Sequence, residues 1–466
     1  MLSNSHYSKY LIIIALSLFF LSSCDDDGPQ VEPNFTESIS FRNQQEINDF
    51  GSKGYTSVEG SVKIGSLGIS RGIVDLRPLL ELTSIGGDLI ISGTGLTDLE
   101  GLNQLGTIGG SLIITKNTRL RGLSGLSSLL TINDRFDLLE NEQLISTHGI
   151  EVLESVGGSL TVDDNLALKS LLGLENLNSV QDLIVTNNPN LTSFSGLSGL
   201  NTIGFLMRVE KNEVLENISA LSNLTQINYH VYITNNPQMT SLDGLQGITR
   251  LANLHVQNNS SITSLDGLNG LLNVNNELWI NNNESLESLN GLNNLTEAVY
   301  FSMWHNPKLS TLEHLSKITS VASLYIGGSP DLDSFDGLNS LETVVNTLYI
   351  SQLNSITDLS GFSSLKRVRL VMTVHDMPNL INLEGIESLE TIQNLSVSNS
   401  HKLRSLKGLQ NVKVSVGVGF FENPSLTDFC DITNLVNSEG FTGDVFSRDN
   451  GFNPTKQDLK SGNCSN

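Results

Sequence analysis

The 466-residue chain has few of the side chains that most functions depend on. It carries three cysteines, two tryptophans and ten prolines, and aromatic residues make up only 6% of it. Basic residues are scarce as well, 26 Lys and Arg against 49 Asp and Glu, for a formal charge of −23. That balance argues against nucleic acid and against anionic lipid surfaces as partners. Its eight histidines are scattered and show no metal-ligand spacing, and no cofactor motif occurs. The one long apolar run lies near the N-terminus and is shorter than the ~20 residues a membrane span needs. No hydrophobic tail closes the chain, which rules against a glycolipid anchor.

That N-terminal run has the layout of an export signal. Lys9 supplies a positive start, Leu11 to Leu21 an apolar stretch, and Leu21-Ser22-Ser23 a small-residue cleavage site followed by Cys24. Leu-Ser-Ser-Cys resembles the bacterial lipobox, which implies a mature chain that begins at a lipidated Cys24; an ordinary secretory signal is the alternative. Removing residues 1–23 takes away Lys9 and no acid, leaving 25 basic and 49 acidic residues. Asp25-Asp26-Asp27-Gly28-Pro29 opens an acidic run that cannot bury a core, so residues 24–37 read as a flexible tether. An acidic run after the lipidated cysteine resembles the surface-export signal of Bacteroidetes-type lipoproteins, although in enterobacteria an Asp here marks inner-membrane retention. The expected location is the outer membrane, surface-exposed. The other cysteines, Cys430 and Cys464, bracket the segment beyond the last repeat, and in an exported chain their pairing is expected.

What the chain has in abundance is repetition. A Gly-Leu signature or close variant recurs every 23 or 24 residues at Leu102, Leu126, Ile150, Leu174, Leu197, Leu221, Leu245, Leu268, Leu292, Leu315, Leu338, Phe362, Ile386 and Leu409, with Ala220 and His314 in place of the glycine in two copies. A fifteenth falls at Leu79, behind Pro78. A fixed period of this length marks a solenoid, in which each coil buries its apolar face only against its neighbours. Within a coil, Leu183-Ile184-Val185 and its equivalents, such as Leu278-Trp279-Ile280, alternate as a strand whose outer two residues face inward and whose middle residue faces out. Stacked coils then form a parallel sheet. Helical periodicity of ten or more residues is absent from the coils, so helices are expected only in the caps.

Three residues past each strand stands an asparagine. Asn117, Asn141, Asn165, Asn188, Asn212, Asn236, Asn259, Asn283 and Asn306 hold one register, and Asn423 returns to it. A sugar-binding surface is one reading. The stronger one is a corner ladder, because a stacked amide can satisfy backbone groups on both sides. Ser329, Leu353, Met377 and Ser400 interrupt the register, and looser corners are expected there. The repeated glycine reads as a backbone requirement at a bend, since a phosphate loop should occur once, at the start of a helix.

The pattern Leu-x-x-Ile-x-Gly-x-Leu-x-Ile, then Asn, then Leu-x-x-Leu-x-Gly-Leu, is well preserved around Leu105 to Ile114 and resembles the receptor L-domain repeat. The resemblance covers about residues 38 to 464. It implies an all-β, right-handed parallel β-solenoid, here of about 15 to 16 coils, with binding rather than chemistry as the usual role. At ~4.8 Å per strand such a stack is a rod on the order of 75 Å long. The expected division is residues 1–23 signal, 24–37 tether, 38–65 helical N-cap and first coil, 66–425 solenoid, and 426–466 a C-cap stapled by Cys430 and Cys464, with Asn453-Pro454 starting a helix.

One outward column breaks the monotony. The middle strand residue runs Ile90, Ile113, Asp137, Thr161, Ile184, Arg208 and then Tyr232, His255, Trp279, Ser302, Tyr325, Tyr349. His230 and Tyr300 lie two residues before it and Trp304 two residues after. Rings at one position on adjacent coils are ~5 Å apart, so a continuous aromatic ribbon is expected. Such rings suit an exposed sheet face for packing alone; a contiguous patch also offers platforms for a glycan or hot spots for a protein. Chemistry has a weaker basis. Arg135, Asp137, Asp163 and Asp182 converge on the early coils without a His or Lys in register, and a non-enzymatic role is expected. The two functional classes in play are a surface binding module and a passive envelope spacer.

Overall fold

The computed structural model describes residues 34–466 except 67 and 69–71. The expected signal and Cys24, the expected lipidation position, lie outside the described residues. The chain winds as a parallel β-solenoid of about 17 turns. Its strands form one sheet in which each pairs in parallel with the next turn, as Tyr232 does with His255 and His255 with Trp279. Stacked inward columns of Leu, Ile and Val, with Phe136, Phe194, Phe301, Phe335 and Phe362 among them, are fully buried along the whole length. Each such side chain stabilises the fold by ~1.5–3 kcal/mol relative to exposure.

The solenoid is longer than the sequence pattern indicates, at both ends. Asn34–Phe35 pairs with Ser57–Val58, and Ile39–Phe41 pairs with Val62–Ile64. The last residues of the segment read as tether therefore already belong to a coil. At the other end Asp444–Arg448 adds a strand to Lys413–Phe421, so the C-cap extends the sheet before closing it.

The caps use different means. At the N-terminal end the helix Gln44–Gly51, capped by Asn43 accepting from the Glu46 amide at 3.1 Å, turns Ile47 and Phe50 onto the open core. Phe35, Phe41, Phe50 and Tyr55 close over it with ring centroids 5.0–5.5 Å apart. At the C-terminal end the short helices Thr433–Asn437 and Lys456–Lys460 are joined to the rod by the Cys430–Cys464 disulfide. The second of these helices is capped by Thr455 with Asp458, not by Asn453.

Asn453 belongs instead to the ladder. In the rungs from Asn141 to Asn306 the asparagine carbonyl accepts from the preceding asparagine's backbone amide, and its amide group donates to a strand carbonyl of the coil before. Asn236 accepts from Asn212 at 3.1 Å and donates to Val209 at 3.0 Å, fully buried. The ladder starts at Thr94, whose hydroxyl donates to Asn117 at 2.8 Å, and finishes through Asn423, Asn450 and Asn453. Each rung follows a residue in the left-handed region, from Lys116 to His305, at φ 54–58°. The corners without asparagine do not loosen. Gly328, Gln352, Asp376 and Asn399 hold φ 54–62°, and the fully buried Leu353 and Met377 fill with core what the amides fill elsewhere.

The repeated glycine meets the expectation of a backbone requirement. Eleven copies from Gly101 to Gly408 sit at φ 103–117°. A Cβ on Gly267 would stand 2.2 Å from the Leu242 carbonyl oxygen. Pro78, Ala220 and His314 cannot adopt that conformation cheaply, and their coils take a 3-10 turn instead, at Arg77–Leu79, Ser219–Leu221 and Glu313–Leu315. Ser360–Phe362 takes the same turn despite Gly361.

Candidate functional site

The sheet changes character near Ser179. In the earlier coils a strand of two residues and one of four are separated by three residues, which in most of them open with a glycine pair, Gly86-Gly87, Gly109-Gly110 or Gly157-Gly158. A Cβ on Gly109 would lie 2.2 Å from the Gly86 carbonyl oxygen, so the chain turns tightly there. From Ser179 the glycine pair is gone, and most coils run as one strand of eight or nine residues, such as Ser179–Thr186, Arg250–Gln257, Asn273–Asn281 and Thr343–Ser351. The longer strands present three outward rows. Glu277, Trp279 and Asn281 are the left, middle and right members on one coil, and Tyr300, Ser302 and Trp304 on the next.

The rings occupy this broadened face in two runs, not one ribbon. In the first, His230 stacks on Tyr232 at 5.8 Å and 9°, Tyr232 meets His255 at 4.7 Å, and His255 stacks on Trp279 at 4.2 Å and 7°. Phe205 and Tyr229, both exposed, extend that run from its near end, and the Arg208 guanidinium lies 5.6 Å from the Tyr232 ring centre. In the second run Trp304 meets Tyr349 at 5.7 Å and Tyr349 meets Tyr325 at 6.3 Å. Ser302 separates them, standing between Trp279 and Tyr325 in the register. The expected continuity thus fails at one small residue. Trp304 lies over Gly327, where a Cβ would come within 2.3 Å of its ring.

The break is a hollow of about 470 Å³ lined by Gln257, Glu277, Trp279, Asn281, Tyr300, Ser302 and Tyr325. Tyr300 is exposed at its edge. Polar groups around it are tied to the fold. Asn281 accepts from the Ser302 hydroxyl at 2.9 Å and the Trp304 amide at 2.8 Å, where the strand ladder has lapsed. Asn253 donates to the Tyr232 hydroxyl at 3.2 Å, and Asn276 donates to Asn253 at 2.9 Å. Glu277 reaches His255 Nε2 at 3.0 Å. Burial pushes the His255 imidazole below its usual range, while the Glu277 carboxylate pulls the other way. His230 Nδ1 is buried without a partner.

All eight sequence-derived ring positions lie on this face; Phe205, Tyr229, Gln257, Glu277 and Asn281 are additional members. Their rows become visible only once the strand length is known. The early polar residues hold the fold. Arg135 pairs with Asp137 at 3.1 Å, and burial raises the Asp137 carboxyl despite that cation. Asp163 accepts from Thr186 and Asn187, and Asp182 from Ser159 at 2.7 Å and the Leu206 amide at 3.1 Å. A second hollow of about 660 Å³ lies near the C-cap beside Arg367, Arg369 and Lys413, remote from the rings. Among the described residues no three or more His, Cys, Asp or Glu side chains are grouped to hold a metal ion, and no helix is long and apolar enough to cross a membrane.

No family model matches the chain, and no curated protein matches it. Among solved structures it is similar to a leucine-rich-repeat protein of Leptospira interrogans, at 16% identity over 78% of this chain and 94% of that one, with a TM-score of 0.30. It is also similar to a chain of a TLR13–ssRNA13 complex, at 14% identity over 89% and 84%, with a TM-score of 0.21. The solenoid itself is established by this chain's own strand pairing.

Proposed function

We propose that the chain is a non-enzymatic binding module of the bacterial cell surface, held to the outer membrane by lipid on Cys24 and engaging a glycan or protein through the aromatic face of its sheet. The observation that carries this reading is the confinement of the rings. His230, Tyr232, His255, Trp279, Tyr300, Trp304, Tyr325 and Tyr349 occupy six successive coils on one outward face, while the coils before them stay stable with Ile90, Ile113 and Thr161 in the same column. Rings that the fold does not require, half-buried except for the exposed Tyr300 and gathered on one side, fit a recognition surface better than a passive spacer.

The test is a double substitution, Trp279→Ala with Tyr325→Ala, assayed against glycan arrays and against host and envelope proteins. Binding by the wild type that the double variant loses supports the reading. Unchanged binding hands the rod to the spacer role. Anchoring is tested apart from binding: Cys24→Ala releases soluble protein, and protease added to intact cells degrades the anchored form if it faces outward.

A further inference from the structure

We propose that the hollow over Ser302 is a slot for one pyranose ring of an uncharged glycan, gripped between Trp279 and Tyr325. The proposal rests on the reading of this face as a binding surface and names what it takes. Trp279 lies parallel to His255 on the preceding coil, so its opposite face is turned toward the coil that carries Ser302. Tyr325 stands one coil beyond Ser302 in the same column. The two strand positions are thus two strand spacings apart, ~9.6 Å, with the Ser302 hydroxymethyl group as the floor between them. Two van der Waals contacts of ~3.5–4 Å each fit within that gap with a single non-planar ring between them. The volume, about 470 Å³, falls inside the range of ~300–1,000 Å³ usual for small-ligand sites.

The rim selects the chemistry. Gln257, Tyr300, the Asn281 amide group and the Glu277 oxygen not held by His255 supply donors and acceptors at the edge of the two apolar faces. A sugar ring has that same division, with C–H faces for the aromatics and equatorial hydroxyls for the rim. An inserted Phe or Leu from a protein would fill the gap and leave the rim without partners, at the cost of desolvating it. Charge narrows the class further. Glu277 is the only charged residue of the lining, and no basic side chain joins it, so uronate or sialate sugars would meet a carboxylate with no cation to offset it. Glycan continuing beyond the gripped ring would pass along the sheet face toward His255 and Tyr232, which lie on the same column.

Calorimetric titration of the full chain with neutral hexasaccharides (β-1,4-glucan, β-1,4-mannan, β-1,4-galactan, α-1,4-glucan) and with hexagalacturonate tests this. At least one neutral sugar is expected to bind saturably with a Kd below about 1 mM, while hexagalacturonate does not. Trp279→Ala and Tyr325→Ala are each expected to weaken it ten-fold or more. Ser302→Tyr is the decisive variant, because it plugs the slot with a ring the column already carries at Tyr325 and Tyr349, and an unchanged melting curve shows that it folds. It is expected to abolish sugar binding while leaving the aromatic face otherwise intact. Failure of every neutral sugar to saturate at about 10 mM, preference for the galacturonate, or wild-type binding by Ser302→Tyr overturns the slot. A protein partner lost with Trp279→Ala but kept by Ser302→Tyr also overturns it, and would leave the broader reading of the face standing.

Discussion

Between Val62 and Asp163 the outward strand column reads Lys63, Ile90, Ile113, Asp137 and Thr161; between His230 and Ser351 it reads Tyr232, His255, Trp279, Ser302, Tyr325 and Tyr349. Behind both stretches lie the same buried columns, the same glycine bend and the same left-handed corner. The early coils show what the scaffold needs, and the later coils show what has been added to it. A glycine pair interrupts most of the early strands and narrows their face, whereas most later strands run through the same place, and a left-hand row opens that holds His230, Asn253, Glu277 and Tyr300. Surface chemistry in this solenoid is thus decided by strand length as well as by residue type.

If the two halves share one backbone, the same substitution should cost the same in each. Gly149→Ala and Gly267→Ala would place a Cβ 2.4 Å and 2.2 Å from backbone atoms of the preceding coil, at φ 112° and 103°. Each is expected to lose about 3–5 kcal/mol in denaturant titration, and a cost confined to one half would break the comparison. The two ends sharpen it differently. Reducing Cys430–Cys464 is expected to remove about 3 kcal/mol of protection from the C-terminal coils in hydrogen exchange. The N-terminal coils, sealed by the helix Gln44–Gly51, should exchange as before, because coils couple only to neighbours.

The ladder offers a finer contrast. Asn236→Ala leaves the Val209 carbonyl and the Asn212 amide without their buried partners, and about 2 kcal/mol should be lost by thermal melting. Met377→Ala, at an equivalent corner filled by core, should cost through a cavity instead and leave the polar rungs intact. The smallest effect expected concerns pH. An unfolded imidazole takes up its proton as the pH falls through about 6.5, while burial delays that step for His255 in the folded chain. The unfolded state therefore binds more protons in this window, and stability falls as the pH drops through it. His255→Gln should flatten that slope, and an unaltered slope would place the pH dependence elsewhere.

The period, the inward columns and the asparagine register could be read from the chain because each repeats a residue type at a fixed offset. Other features leave no such trace. The left-handed residue before the ladder asparagine is Asp164, Asn187, Asn235, Asn258 or Asn282 in five coils, types that favour this conformation, but in the other four it is Lys116, Glu140, Lys211 or His305, side chains that carry no turn signal. Asn450 and Asn453 continue the ladder at spacings that do not match the repeat, so Asn453 read as the start of a helix. Five of the eight ring positions, Tyr232, His255, Trp279, Tyr325 and Tyr349, were legible as a column, with His230, Tyr300 and Trp304 two residues to either side of it. That Ser302 divides them depended on which way Trp279 and Trp304 turn: one stacks back on His255, the other lies over Gly327.

The most direct test of the account compares Trp279→Ala with Ile113→Ala for one ligand that the wild-type chain binds. Both substitutions remove a side chain from the same outward column, one in each stretch. The dissociation constant is expected to rise ten-fold or more for Trp279→Ala, about 1.4 kcal/mol, and to stay at the wild-type value for Ile113→Ala. Equal constants for the two variants would contradict it.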